Sequence, residues 1–164
     1  MSVIDTFRPS RRLFLVDVEN LLGCEPAEAN AALFAIAVES FLERMHFAPQ
    51  RDLVIVGVGD KAVGNVFGLA VPHRLVVKAG ESGADRALVE ATADADFIAA
   101  RFDEIVVGSG DHEFVRTVIN MKARGVHTTV ASRDEGLNCT LRTIADDVVY
   151  LASAKELLGV ALAA

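Results

Sequence analysis

The sequence predicts one α/β domain built on a doubly wound parallel sheet, strand order 3-2-1-4-5, with helices on both faces. Three observations predict it. Short runs of apolar and β-branched residues recur at residues 13–16, 53–58, 75–77, 105–107 and 128–131, and runs of this kind mark buried parallel strands. Segments with helical spacing lie between them, so strand and helix alternate without an internal repeat. The chain has 164 residues, close to the usual size of one domain, and we expect a single domain over 1–164 with its core at about 12–151.

In chain order, residues 13–16 (Leu-Phe-Leu-Val) form the first strand. A helix over 27–45 places Leu33, Ile36, Ala37 and Phe41 on one face, which is read as core. Residues 53–58 form the second strand, 61–69 a helix and 75–77 the third strand. Helix 83–99 then crosses to the fourth strand, 105–107. Helix 113–124, strand 128–131 and helix 137–145 complete the alternation. The stretch 153–163 reads as a last helix, with Ser153 as cap candidate and Leu157, Leu158, Val160 and Leu162 free to pack within the chain or across a homodimer.

Composition narrows the function classes. The formal net charge is −7, which argues against broad electrostatic capture of nucleic acid, so any phosphate contact must be local. No apolar run is long enough for a membrane span, and Met1 to Ser10, with Asp5 and Pro9, lacks the apolar core of an export signal. The expectation is a cytoplasmic protein without membrane contact. Cys24 and Cys139 stand far apart with no metal-ligand spacing and are read as buried thiols.

In a doubly wound sheet, strands one and four are neighbours at the point where the chain reverses direction, and ligands bind beyond the carboxyl ends of the strands there. Both tips are acidic. The first ends in Asp17-Val18-Glu19-Asn20, and the fourth is followed by Gly108-Ser109-Gly110-Asp111-His112-Glu113. A third acid, Asp85, opens the helix after strand three in Ser82-Gly83-Ala84-Asp85-Arg86. Each has an ordinary explanation: Asp17, Asn20 or Asp111 as helix caps, Glu19 solvated, Ser82 capping with Asp85 in the first turn. Their convergence on one sheet edge suggests a cation, because clustered carboxylates repel unless compensated, and oxygen ligands suit Mg²⁺ or Mn²⁺. The third glycine of a dinucleotide loop is absent, as are a Walker motif and a nucleophile elbow. His112 is read as an exposed residue at a helix start, with metal binding or proton transfer as the alternative.

The blocks Leu13-Phe14-Leu15-Val16-Asp17-Val18-Glu19-Asn20, Lys78 with Gly83-Ala84-Asp85-Arg86, Ser109-Gly110-Asp111-His112-Glu113-Phe114, Lys122-Ala123-Arg124-Gly125-Val126 and Leu141 to Val148 resemble, in order and spacing, the NYN family of PIN-like ribonucleases. The resemblance implies a PIN-like fold and metal-dependent hydrolysis of RNA phosphodiesters, with Asp17, Asp85 and Asp111 as metal-binding carboxylates. Asn20 would orient a ligand or phosphate, and Glu19 and Glu113 would stand at the metal site. Glu113 departs from the family pattern, where Asp is usual, and its extra methylene alters the fit to an octahedral ion. Asp146 resembles the family's late Ala-Asp pair. Lys61, Arg86, Arg116 and Arg133 fall at the expected crevice edge, where they would touch phosphate or stand solvated.

Two other functions remain open on the sequence. One is a non-catalytic module of the same fold that binds RNA or a protein partner, favoured by the net charge of −7 and the 6% aromatic content. The other is a Toprim-like phosphotransfer domain, whose acidic pair is approximated only by Asp111 and Glu113.

Overall fold

The structure is a computed structural model describing residues 10–23 and 29–163. Six parallel strands form one sheet: β1 (Arg12–Asp17), β2 (Leu53–Gly59), β3 (Arg74–Lys78), β4 (Glu104–Gly108), β5 (His127–Ser132) and β6 (Asp147–Tyr150), in the order β3-β2-β1-β4-β5-β6. The five expected strands and their order are all present. The sixth was not expected: it opens on Asp147 directly after Asp146, and Val148 and Val149 are only partly buried at the sheet edge. It pairs Thr129 with Asp147 and Ser132 with Tyr150 at the sheet edge.

Strand alternation sorts two cores. Phe14 and Val16 face one side, where α1 (Val18–Leu22), α2 (Ala31–Arg44), α3 (Val63–Val66) and the start of α8 (Ala154–Ala163) cover them. Leu13 and Leu15 face the other, under α4 (Gly83–Ala91), α5 (Ala95–Ala99), α6 (Val115–Lys122) and α7 (Cys139–Ile144). Two apolar faces require two helical layers, which is why the central strands lack polar alternation.

Several helices are shorter than their spacing suggests. The expected helix over 83–99 breaks after Ala91, because Asp94 caps a new helix by accepting from the Phe97 N–H at 2.9 Å. Short 3-10 turns at Asp60–Ala62 and His112–Phe114 replace the first turns of two others. Helix α2 starts at Ala31, capped by Asn30; the expected residues 27 and 28 lie outside the described residues, as do Cys24 and the stretch 1–9 read for an export signal. Cys139 is exposed at the start of α7, which corrects the expectation of a buried thiol.

Ser153 does cap the last helix. Its hydroxyl accepts from the Glu156 N–H at 3.1 Å while Glu156 accepts from the Ser153 N–H at 2.7 Å, a reciprocal capping box. The helix packs within the chain, against α2 and α1. Among the described residues no helix is long and apolar enough to cross a membrane.

Candidate functional site

β1 and β4 lie side by side, pairing Val16 with Gly108, so the two acidic tips meet as the switch-point rule requires. Ser109 joins them. Its hydroxyl donates to Asp17 Oδ2 at 2.8 Å and accepts from the Asp111 N–H at 3.2 Å. Asn20 makes a second link, its Oδ1 accepting from the Gly110 N–H at 3.1 Å. The side chain expected to orient a ligand thus also ties one strand-tip loop to the other. No residue fits in place of Gly110, where a Cβ would stand 2.2 Å from the Gly136 carbonyl oxygen and 2.4 Å from Ser132 Oγ.

Asp85 arrives from the other side through close packing of α4 on β2. Asp17 pairs in register with Gly57, and the bare Gly57 backbone lets the Ala84 carbonyl and Leu88 sit directly over it. Asp85 follows Ala84 and reaches the same cleft. The expected cap at this helix is not formed: Ser82 has a left-handed backbone (φ 54°) and makes no cap bond, while Asp85 Oδ1 accepts from the Arg86 N–H at 2.8 Å.

Asp17, Glu19, Asn20, Ser82, Ala84, Asp85 and Asp111 line a cleft of about 160 Å³. Asp17 and Asp85 are each only 4% exposed. Burial pushes the Asp17 carboxyl up to about 7, against the bonds from Ser109 and Asn20, with the charges of Asp85 and Glu19 adding to the rise. Burial also raises Asp85, opposed by the Arg86 N–H and reinforced by Asp111 and Glu113. The strand-tip acids are therefore electrostatically coupled and short of positive charge.

Ordinary structural roles coexist with this. Asp17 accepts from the Asn20 N–H at 3.3 Å as the cap of α1, and Asp111 caps the following 3-10 turn by accepting from the Glu113 N–H at 2.9 Å. Glu19 Oε1 accepts from the Gly59 N–H at 2.9 Å, anchoring α1 to the end of β2. Glu113 is not part of the cleft lining, although its charge is felt by Asp85. The His112 side chain is 71% exposed, with Nδ1 3.1 Å from Asp111 and Nε2 3.5 Å from Glu113.

The donor set is made of oxygens, the kind that suits Mg²⁺ or Mn²⁺. Among the described residues, no group of three His, Cys, Asp or Glu side chains is already arranged to hold an ion. The carboxylates therefore fit a hard cation in kind, and an ion would have to draw them together.

The basic residues separate. Arg133 is committed, with Nε and Nη2 both 3.3 Å from the Asn20 carbonyl oxygen and Nη1 2.8 Å from Glu135. Arg86 is exposed beside Asp85, and Lys61 is exposed in the turn after β2. Arg116 lines a neighbouring groove with His112, Glu113 and Asn138. Lys78 pairs with Glu90.

Sequence reasoning missed two contacts that shape this cleft. Ser109 was read as a small-residue loop position and as part of the block Ser109 to Phe114, not as the link between Asp17 and Asp111; a hydroxyl among glycines between two acids was the available signal. Arg133 was read as a phosphate contact rather than a clamp on Asn20, and no local signal shows that clamp.

Asp146, by contrast, holds the sheet edge. It accepts from the Thr128 N–H and Oγ1, both at 2.9 Å, and pairs with Lys122 at 2.7 Å, which holds its carboxyl down at about 2. Asp146→Ala should cost about 1–2 kcal/mol in urea denaturation at pH 7 by removing these bonds. The contribution should persist down to about pH 4 and fade as pH falls further towards 2, because only the unfolded state takes up the proton in that interval. A variant as stable as the parent would refute this role.

No family model and no curated protein matches the chain. Among solved structures it is similar to a Vibrio parahaemolyticus protein of unknown function, at 20% identity and a TM-score of 0.53, over 88% of this chain and 94% of that one. This likeness bears on the fold alone.

Proposed function

We propose that the chain is a divalent-metal-dependent ribonuclease of the NYN, PIN-like kind, hydrolysing RNA phosphodiesters at the Asp17, Asp85 and Asp111 cleft. One observation carries the reading. Three acids from three separate segments converge at the sheet's switch point, and two of them are buried with their carboxyls raised and, among the described residues, in no ion pair. Asp17, Asp85 and Asp111 would hold a Mg²⁺ or Mn²⁺ ion, with Glu19 and Glu113 close by. Such an ion polarises a phosphodiester and lowers the pKa of an attacking water.

The chain's own residues do the rest. Ser109 and the Asn20 N–H fix both oxygens of Asp17, leaving lone pairs on each for a ligand. Asp17 carries its proton up to about pH 7, so loading a cation displaces that proton and affinity should strengthen as pH rises through 7. Arg86, exposed next to Asp85, would meet a phosphate of a strand crossing the cleft, and Arg116 in the neighbouring groove and the exposed Lys61 are further candidates for such contacts. With a net charge of −7, substrate affinity should be weak and strongly salt-dependent.

The test is cleavage of unstructured RNA by purified protein. Activity should require Mg²⁺ or Mn²⁺ and disappear in Asp17→Asn and Asp85→Asn. Activity that survives EDTA, or that is equal in wild type and Asp17→Asn, would refute it. The capping roles of Asp17 and Asp111 favour a second reading, a non-catalytic module that binds RNA or a protein. Metal binding without cleavage of any RNA tested would select it.

A further inference from the structure

The opposite edge of the sheet carries a different kind of site. Beyond the amino ends of β1, β2 and β3 lies a cavity of about 390 Å³, about a strand's length, roughly 17 Å, from the acidic cleft. Its size falls at the small end of ligand pockets. The floor is apolar and drawn from the core: Leu13, Ile55, Ile98 and Phe102 are each 6% exposed or less. Phe97 and Leu53, at its rim, are each half exposed.

The polar lining is of one sign. Arg11, Arg74, Arg101 and His73 line the cavity, and no Asp or Glu does, in a chain with 23 acids and 16 Lys or Arg. Among the described residues none of the three arginines forms an ion pair. Arg101 lies 3.5 Å from the Phe97 ring centroid and Arg11 5.4 Å from that of Phe102, so the aromatic rings hold these guanidinium groups at the cavity. Like charges gathered over an apolar floor repel one another, and an anion among them relieves that repulsion.

We propose that this cavity binds a small anion with an apolar body, of the medium-chain carboxylate class, its carboxylate held by the rim arginines and its chain laid on Leu13, Ile55 and Ile98. The aliphatic floor selects the chain and the one-signed rim selects the charge. This site is independent of the ribonuclease reading, sharing no residue with the acidic cleft.

Calorimetric titration of the full chain tests it, with decanoate, decylamine and uridine monophosphate as probes. Decanoate should bind and decylamine should not. The double variant Arg11→Gln, Arg74→Gln should weaken decanoate binding about tenfold or more, the loss expected for charge-assisted hydrogen bonds. Leu53→Glu, which sets an acid at the rim, should weaken it as well, and circular dichroism of both variants should match the parent. The proposal is overturned if decanoate does not bind, if decylamine binds equally, or if both variants bind as the parent does. Uridine monophosphate binding in place of decanoate would overturn the assigned ligand class.

Discussion

Replacing Asp17 with Asn is expected to make the metal-free protein more stable at pH 8, by about 2 kcal/mol, and to remove a slope from its stability profile. A carboxyl that keeps its proton to about 7 in the folded chain, against 3.8 ordinarily, makes the charged form cost about 4 kcal/mol in the native state. Below about pH 4 folded and unfolded chains are both protonated at this group, and the cost is absent. Between 4 and 7 the unfolded chain releases its proton while the folded one keeps it, so wild-type stability falls as pH rises. Above 7 the full cost is present and level. The amide carries no charge, so this slope should vanish in the variant. Part of the gain is offset because an amide NH₂ faces one of the two donors, Ser109 Oγ or the Asn20 N–H, that now bond a carboxylate. Thermal melts from pH 4 to 8 read the effect. Millimolar Mg²⁺ should then stabilise wild type at pH 8 and leave the variant unmoved. A variant less stable than wild type across the whole range would show Asp17 to be a structural cap and would remove the main support for the metal site.

The second large effect concerns a residue with no side chain at all. A Cβ at Gly57 would stand 2.6 Å from the Ala84 carbonyl oxygen and 2.6 Å from Leu88 Cγ, and one of these neighbours is backbone that cannot swing aside. Gly57→Val should therefore lift α4 from β2 and cost about 3 kcal/mol through overpacking. Because Asp85 rides on α4 next to Ala84, the same change should weaken stabilisation by Mg²⁺ although every carboxylate is intact. Gly64→Ala is the control: a Cβ there meets nothing within 4 Å, and in helix α3 it should be neutral or slightly stabilising. If Gly57→Val changed stability by less than about 0.5 kcal/mol, close helix packing could not be what delivers Asp85 to the cleft.

Much of this architecture was written locally. The expected strand at 53–58 is observed as Leu53–Gly59, because a strand buried on both faces must be apolar without interruption, and that at 75–77 is observed as Arg74–Lys78, a partly exposed edge strand whose three apolar residues still marked it. The acidic tips were equally visible, since a strand's carboxyl end is a fixed place in the chain. Helix ends were less so. Whether 83–99 runs unbroken depends on Asp94 capping a second helix, and Asp94 is as compatible with a solvated helical position as with a cap. The sixth strand was hidden for a related reason: Asp147–Tyr150 pairs only because β5 offers it an edge.

Alternation of apolar runs and helical segments determined the layers, the strand order and the meeting of the β1 and β4 tips, because hydrophobic burial and right-handed crossovers leave few other arrangements. Tertiary structure alone decided which polar groups touch there. Ser109 lies 92 positions from Asp17 and Arg133 113 positions from Asn20, separations at which no local pattern constrains a contact. It also decided the protonation of Asp17, since that depends on how completely the fold strips water from the carboxyl, a property of packing in three dimensions rather than of neighbours in the chain.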